Sequence, residues 1–160
     1  MTGTRLPLLT ASDIEAMAEV AHTHQFNDNA VRHTRSIGDV LGLEHLGVHL
    51  VRLEPGHDST QFHYHHMDEE FVYILSGRGI AELGEETREV GAGDFMAFGR
   101  LSVPHGMSNP FDEDLVYLMG GSRSDIDICD YPRLGRRMYR IQGEKEYVDK
   151  EHLHRLETQK

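Results

Sequence analysis

The sequence predicts an all-β fold, an antiparallel sandwich or barrel with a short N-terminal helix outside it. Hydrophobic spacing changes from a helical period to strict alternation near residue 45. From there, short apolar runs recur with turn residues roughly every eight to twelve positions, the spacing of sandwich and barrel strands. A chain of 160 residues, 38% apolar and 27% charged, suits one globular domain with its own core rather than a disordered segment.

The first element is a helix expected from Ser12 to about Ala21. Ser12 and Glu15 have the spacing of a capping box, and Ile14, Met17, Ala18 and Ala21 follow on one helical face. Asn27, Asp28 and Asn29 read as a loop, and Val31 to Ile37 as an extended arm. In HLGVHLVRL, from residue 45, Leu46, Val48 and Leu50 are expected to face inward, opposite His45, Gly47 and His49. Strands are then expected at Phe71 to Leu75, Ile80 to Leu83, Thr87 to Val90, Phe95 to Phe98, His105 to Ser108 and Leu115 to Met119. Turns at Ser76-Gly77, Gly84 and Gly91 to Asp94 separate several of them. The resulting division is residues 1–44 as helix and arm, 45–120 as the barrel core and 121–160 as a polar extension packed on the barrel. Within that extension, Asp130-Tyr131-Pro132 is expected to cover one end of the barrel, and the stretch from Gly143 to Lys160 to be surface-packed or frayed.

Composition narrows the partners. The formal net charge of -11 repels phosphate backbones, so nucleic acid is not an expected partner. It does not exclude a small anion, because a local arginine cluster can bind one inside an acidic protein. No apolar run approaches the roughly 20 residues of a membrane helix, so no membrane partner is expected. The opening residues carry one arginine and no apolar stretch, unlike a secretory leader. With Cys129 as the single cysteine, an intramolecular disulfide is impossible and a cytoplasmic address is the expectation. Cys129 itself reads as a small buried hydrophobe.

The chemistry lies in FHYHHMDEEFVYILSG, residues 62 to 77. His63 and His65, two apart on a strand, put both imidazoles on one face, ~7 Å apart at the backbone. Glu70 opens the next strand, and His105, placed by Pro104, begins a later one. Three imidazoles and one carboxylate suit a single divalent transition metal (Zn, Mn, Fe, Ni or Co) with positions left open for water or substrate. Glu69 and His66 read as solvated, and His49 and His57 as surface residues or outer partners of the ligands.

These residues resemble the cupin family. Gly56, His63, His65, Glu70 and Gly77 are similar to its first motif, and Gly93-Asp94 through Pro104, His105 and Asn109 to its second. Each motif is one residue longer here than the usual pattern. VYLMGGSRSDIDICDYP is similar to the end of small single-domain bacterial cupins. The resemblance implies a double-stranded β-helix, or jelly roll, usually a homodimer. It also leaves Asn109 as either a hydrogen-bonding neighbour of the metal ligands or an ordinary strand residue.

A metal-binding barrel of this kind acts on a small-molecule ligand. With iron, the open positions suit a dioxygenase; with zinc or manganese, a Lewis acid suits an isomerase, epimerase or lyase. A non-catalytic binding or sensing module and an empty structural barrel are the alternatives, since fold does not choose among them. No general base is identifiable, and Tyr64 and Tyr73 have the wrong parity to face inward. A sugar phosphate would need a cationic clamp, for which Arg52 and Arg100 are the only candidate donors, and both read as surface residues instead.

Overall fold

A computed structural model describes residues 6–154. The leader reading of the first five residues and the tail reading of residues 155–160 lie outside it. No helix among the described residues is long and apolar enough to cross a membrane.

The N-terminal helix is shorter than the apolar spacing suggests. Helix α1 spans only Ala11–Glu15, and its cap is Thr10, not Ser12. Thr10 Oγ1 accepts from the Asp13 backbone N–H at 3.2 Å, while Asp13 Oδ2 accepts from the Thr10 N–H at 2.8 Å. No residue of α1 is buried, so no packed face sustains further turns. The chain instead becomes strand β1, Val20–His24, where the ladder with the next strand outweighs the helical spacing. That next strand, β2, runs Asn27–Arg35 and absorbs the expected loop. Its Asn27 and Asn29 side chains both donate to Asp58 Oδ2, tying the first hairpin to the loop ahead of the histidines. A single-turn helix α2, Ile37–Val40, leads into β3, Leu46–Leu53.

The inward face of β3 is the reverse of the expected one. Val51 and Leu53 are fully buried, whereas Leu46 is 42% exposed. Pairing decides this: Val51 stands opposite Tyr117 and Leu53 opposite Leu115, so their side chains share one face of the sheet with the core.

The remaining strands are β4 (Tyr64–His65), β5 (Glu70–Ser76), β6 (Arg78–Leu83), β7 (Glu86–Gly91), β8 (Phe95–Phe98), β9 (His105–Ser108) and β10 (Leu115–Ser122). They match the expected runs closely. All pairings are antiparallel. One sheet has the order β1-β2-β3-β10-β5-β8 and a second β7-β6-β9. Val51, Leu53, Ile74, Ala81, Val90, Met107, Leu115 and Tyr117 form the main core between them. Gly77, with φ +76, makes the β5–β6 turn; a side chain there would meet Asp114 O at 2.2 Å.

The C-terminal region is a wall of the barrel. Strands β11 (Ile126–Tyr131), β12 (Arg136–Ile141) and β13 (Glu144–Asp149) form a meander whose inner strand, β11, pairs with β4. The stretch expected to be surface-packed or frayed contributes a strand as far as Asp149. A second core of Cys129, Tyr131 and Met138, with Phe26 packed on it, closes this side. Gln25 Nε2 donates to Tyr147 Oη at 2.7 Å, so the first and last hairpins meet.

Candidate metal centre

Backbone pairing brings the expected ligands together. His63 and His105 exchange backbone hydrogen bonds of 3.1 and 2.8 Å, setting their rings side by side with centroids 4.7 Å apart. His65 sits on β4 opposite Cys129 of β11, and its ring centroid is 5.0 Å from that of His63. Glu70 opens β5 between β8 and β10. Opposite it lies Gly121, where a Cβ would stand 2.8 Å from Glu69 O and 3.2 Å from Glu70 Cγ, so only glycine admits this approach. Phe98 stacks on His105 at 3.5 Å and 5°, holding that ring in plane.

The side-chain tips converge. Glu70 Oε2 is 3.5 Å from His63 Nε2, 3.5 Å from His65 Nε2 and 3.2 Å from His105 Nε2. The opposite ring nitrogens all face oxygens that only accept. His63 Nδ1 donates to Gln61 O at 2.8 Å, His65 Nδ1 to Asp127 Oδ2 at 2.6 Å and His105 Nδ1 to Val103 O at 3.3 Å. Each neutral imidazole therefore presents a bare Nε2 lone pair to the same point as the carboxylate. Four acceptors facing one another are satisfied by a shared cation. Ligand bonds of about 2.0–2.2 Å place neighbouring donors roughly 3 Å apart or slightly more, which these separations match. The donor set fits a divalent transition metal.

Burial would raise the Glu70 pKa, but the imidazoles of His105, His63 and His65 set against its carboxylate keep it well below the ordinary range. Burial depresses His63 despite Glu70. At His65 burial acts in the same sense, but Asp127 and Glu70 reverse it and the pKa rises. Asp127 is fully buried and also accepts from the backbone N–H groups of Met67 and Asp68, at 3.2 Å each. Burial favours its neutral form, yet the His65 hydrogen bond keeps its pKa lowered. Sequence reading missed Asp127. Its only local signal is a carboxylate within the apolar alternation Ile126, Ile128 of a strand.

Other expected residues lie elsewhere. Asn109 does not support the ligands. It is fully buried, and its side chain donates to Leu53 O and Glu113 O and accepts from the Phe111 N–H, pinning the loop before β10. His57 contacts Asn29 O, and His49 contacts Ser36 Oγ. His66 faces away from the centre toward Asp130, and Glu69 is exposed. Cys129 is 1% exposed, and burial pushes its thiol well above the ordinary range, so it stays a neutral wall group although its sulfur lies near His63 and His65. Arg52 is consumed by Glu19, Glu54 and Asp114, and Arg100 contacts His66 O and Met67 Sδ. Neither borders the cavity.

The cavity, about 270 Å³, is lined by the four candidate ligands and by His22, His24, Arg32, Tyr117, Tyr131 and Lys145. Its size is at the small end of ligand pockets and suits a small metabolite. His24 is kept neutral by burial, its pKa lowered to about 4. Its Nδ1 accepts from the Phe26 N–H at 3.2 Å, so Nε2 carries the ring proton and is a donor.

The Cupin domain family model matches residues 49–121. A protein from Acidithiobacillus ferrooxidans ATCC 23270, provisionally described as a sugar phosphate isomerase, shares 41% identity over 94% of this chain and 97% of its own, with a TM-score of 0.92. A sugar phosphate isomerase from a cupin superfamily, from Silicibacter pomeroyi DSS-3, shares 26% over 91% and 94%, with a TM-score of 0.79. A predicted oxalate decarboxylase from Thermotoga maritima, at 17% identity over 69% and 96% with a TM-score of 0.58, shares the fold alone. No curated protein matches the chain significantly. The motif residues, the antiparallel jelly roll and these likenesses agree: the chain belongs to the cupin superfamily.

Proposed function

We propose that this protein is a metal-dependent isomerase or epimerase acting on a small sugar phosphate. His63, His65, Glu70 and His105 hold one divalent transition metal. The observation that carries the reading is the convergence of three bare imidazole nitrogens on Glu70 Oε2, at 3.2 to 3.5 Å, inside a cavity of metabolite size. The names of the two most fully covered relatives given above support the isomerase arm over the dioxygenase and lyase arms.

A divalent ion held there would supply Lewis-acid polarisation of a substrate carbonyl or hydroxyl, which acidifies the neighbouring C–H. The chain's own residues do the rest. Glu70 and the histidines fix the site, and Asp127 orients His65. Phe98 and Met107 supply apolar wall that limits water. His24, neutral and protonated at Nε2, donates a hydrogen bond to a substrate oxygen.

The test begins with metal analysis of protein purified without added metal. The metal-replete protein is then incubated with aldose and ketose phosphates in deuterated water. Deuterium at the carbon beside the carbonyl, lost in His65→Ala, is the expected result. Metal bound at one equivalent with no exchange in any sugar phosphate would reject the isomerase reading. Tight ligand binding without turnover would instead favour a sensing module.

A further inference from the structure

We propose that the outer half of the cavity is a phosphate-binding subsite in which Arg32 and Lys145 clamp the phosphate group of a substrate whose other end reaches the four ligands. This rests on the sugar-phosphate reading above and names the groups that would recognise the phosphate.

Among the described residues most cations are occupied. Arg35, Arg52, Arg78, Arg88, Arg123, Arg133, Arg136, Arg137, Arg140 and Lys150 each pair with a carboxylate. Arg32 and Lys145 do not, among the described residues, and both border the cavity. The Arg32 guanidinium is held only by a 3.3 Å hydrogen bond from Nη1 to Ser59 O. That fork leaves several donors free. Lys145, exposed at the mouth, has no hydrogen-bond or ion-pair partner among the described residues.

The two come from different hairpins: Arg32 lies on β2 directly opposite His22 of β1, and Lys145 on β13 opposite Arg140 of β12. Both cations act on His22, whose pKa lies below the ordinary range through burial first and then through Arg32 and Lys145. Arg140, also at the mouth, is spent on Asp68 at 2.5 Å. Glu70, the carboxylate lining the cavity, is engaged with the three histidines.

A second observation is a buried hydroxyl on the same cavity wall. Tyr117 borders the cavity, is 1% exposed, and its hydroxyl has no hydrogen-bond partner. Thr34 Oγ1, in the same cross-strand row through Val51, is likewise buried without a partner. Buried hydroxyls are ordinarily satisfied. A polyhydroxylated chain running from the clamp inward supplies the missing partner for Tyr117.

The experiment is calorimetric titration of inorganic phosphate into metal-replete protein, comparing wild type with Arg32→Gln, Lys145→Gln and Arg100→Gln. Arg100→Gln removes one positive charge outside the cavity. The expected result is phosphate affinity weakened about tenfold or more by Arg32→Gln and severalfold by Lys145→Gln, unchanged by Arg100→Gln, with metal content equal in all four. Wild-type protein that binds no phosphate, or cavity variants that bind it as wild type does, overturns the clamp. Lys145 is exposed and unpartnered, so its variant tests the clamp even where Arg32→Gln does not fold. Phosphate binding lost in the cavity variants, beside a wild type that exchanges no sugar-phosphate proton, upholds the clamp and rejects the isomerase instead.

Discussion

Asp127 Oδ2 accepts a 2.6 Å hydrogen bond from His65 Nδ1, joining a carboxylate of the C-terminal meander to a candidate ligand in the first motif. The bond sets the His65 tautomer and leaves Nε2 as the nitrogen available to a metal. Asp127→Asn should lower metal affinity by about ten- to a hundredfold. Competition against a chromogenic chelator measures this, and wild-type affinity in the variant would remove Asp127 from the site.

His65 and His66 are adjacent but face opposite ways, one toward Glu70 and the other toward Asp130. His65→Ala should release the metal, and His66→Ala should keep one equivalent, as read by elemental analysis. The reverse outcome would mean that β4 is turned over. Binding should also weaken as pH falls through the histidine range, because protons compete for the same lone pairs.

Asp130 is fully buried and binds Arg137 at 2.6 Å, Lys150 at 3.0 Å and Tyr64 Oη at 2.9 Å. Burial alone would raise its pKa, but these bonds hold it far below the ordinary value of 3.8. The folded state then binds fewer protons than the unfolded one below about pH 4. The contribution is complete above the unfolded value and fades as pH falls toward the folded one. Asp130→Asn should cost about 3 kcal/mol at pH 7, leaving Arg137 unpaired, and the gap should narrow in urea melts below pH 4. A constant gap down to pH 2 would contradict the assignment.

Strand β1 is an outer strand of the six-stranded sheet, with Val20 65% exposed, and the preceding Leu8 is 61% exposed. The extended arm, Val31 to Ile37, lies mostly in β2, hydrogen-bonded on both sides, so β1 offers the free edge. We propose a homodimer through this edge. Sedimentation at micromolar concentration should give a dimer that Val20→Lys weakens; a wild-type monomer would end the proposal.

The four candidate ligands and most barrel strands are legible in the sequence because their information is local. A two-residue spacing sets His63 and His65 on one face, Gly77 marks a turn that needs a positive φ, and the runs at 95–98 and 105–108 are bounded by their own turn residues. Where a segment's state depends on its neighbour, local reading failed. Val20–His24 is a strand because β2 lies beside it, the face of β3 follows from β10, and Glu144–Asp149 is ordered by β12. Asn109 has a motif position but spends its side chain on a distant backbone. Asp127 stands 62 residues from His65, and Arg32 and Lys145 share one cavity from opposite ends of the chain. Periodicity carries no record of such partners. Only the closed barrel, which makes each strand's inner face a wall of one volume, decides which ring nitrogen is free and which cations are left unpaired.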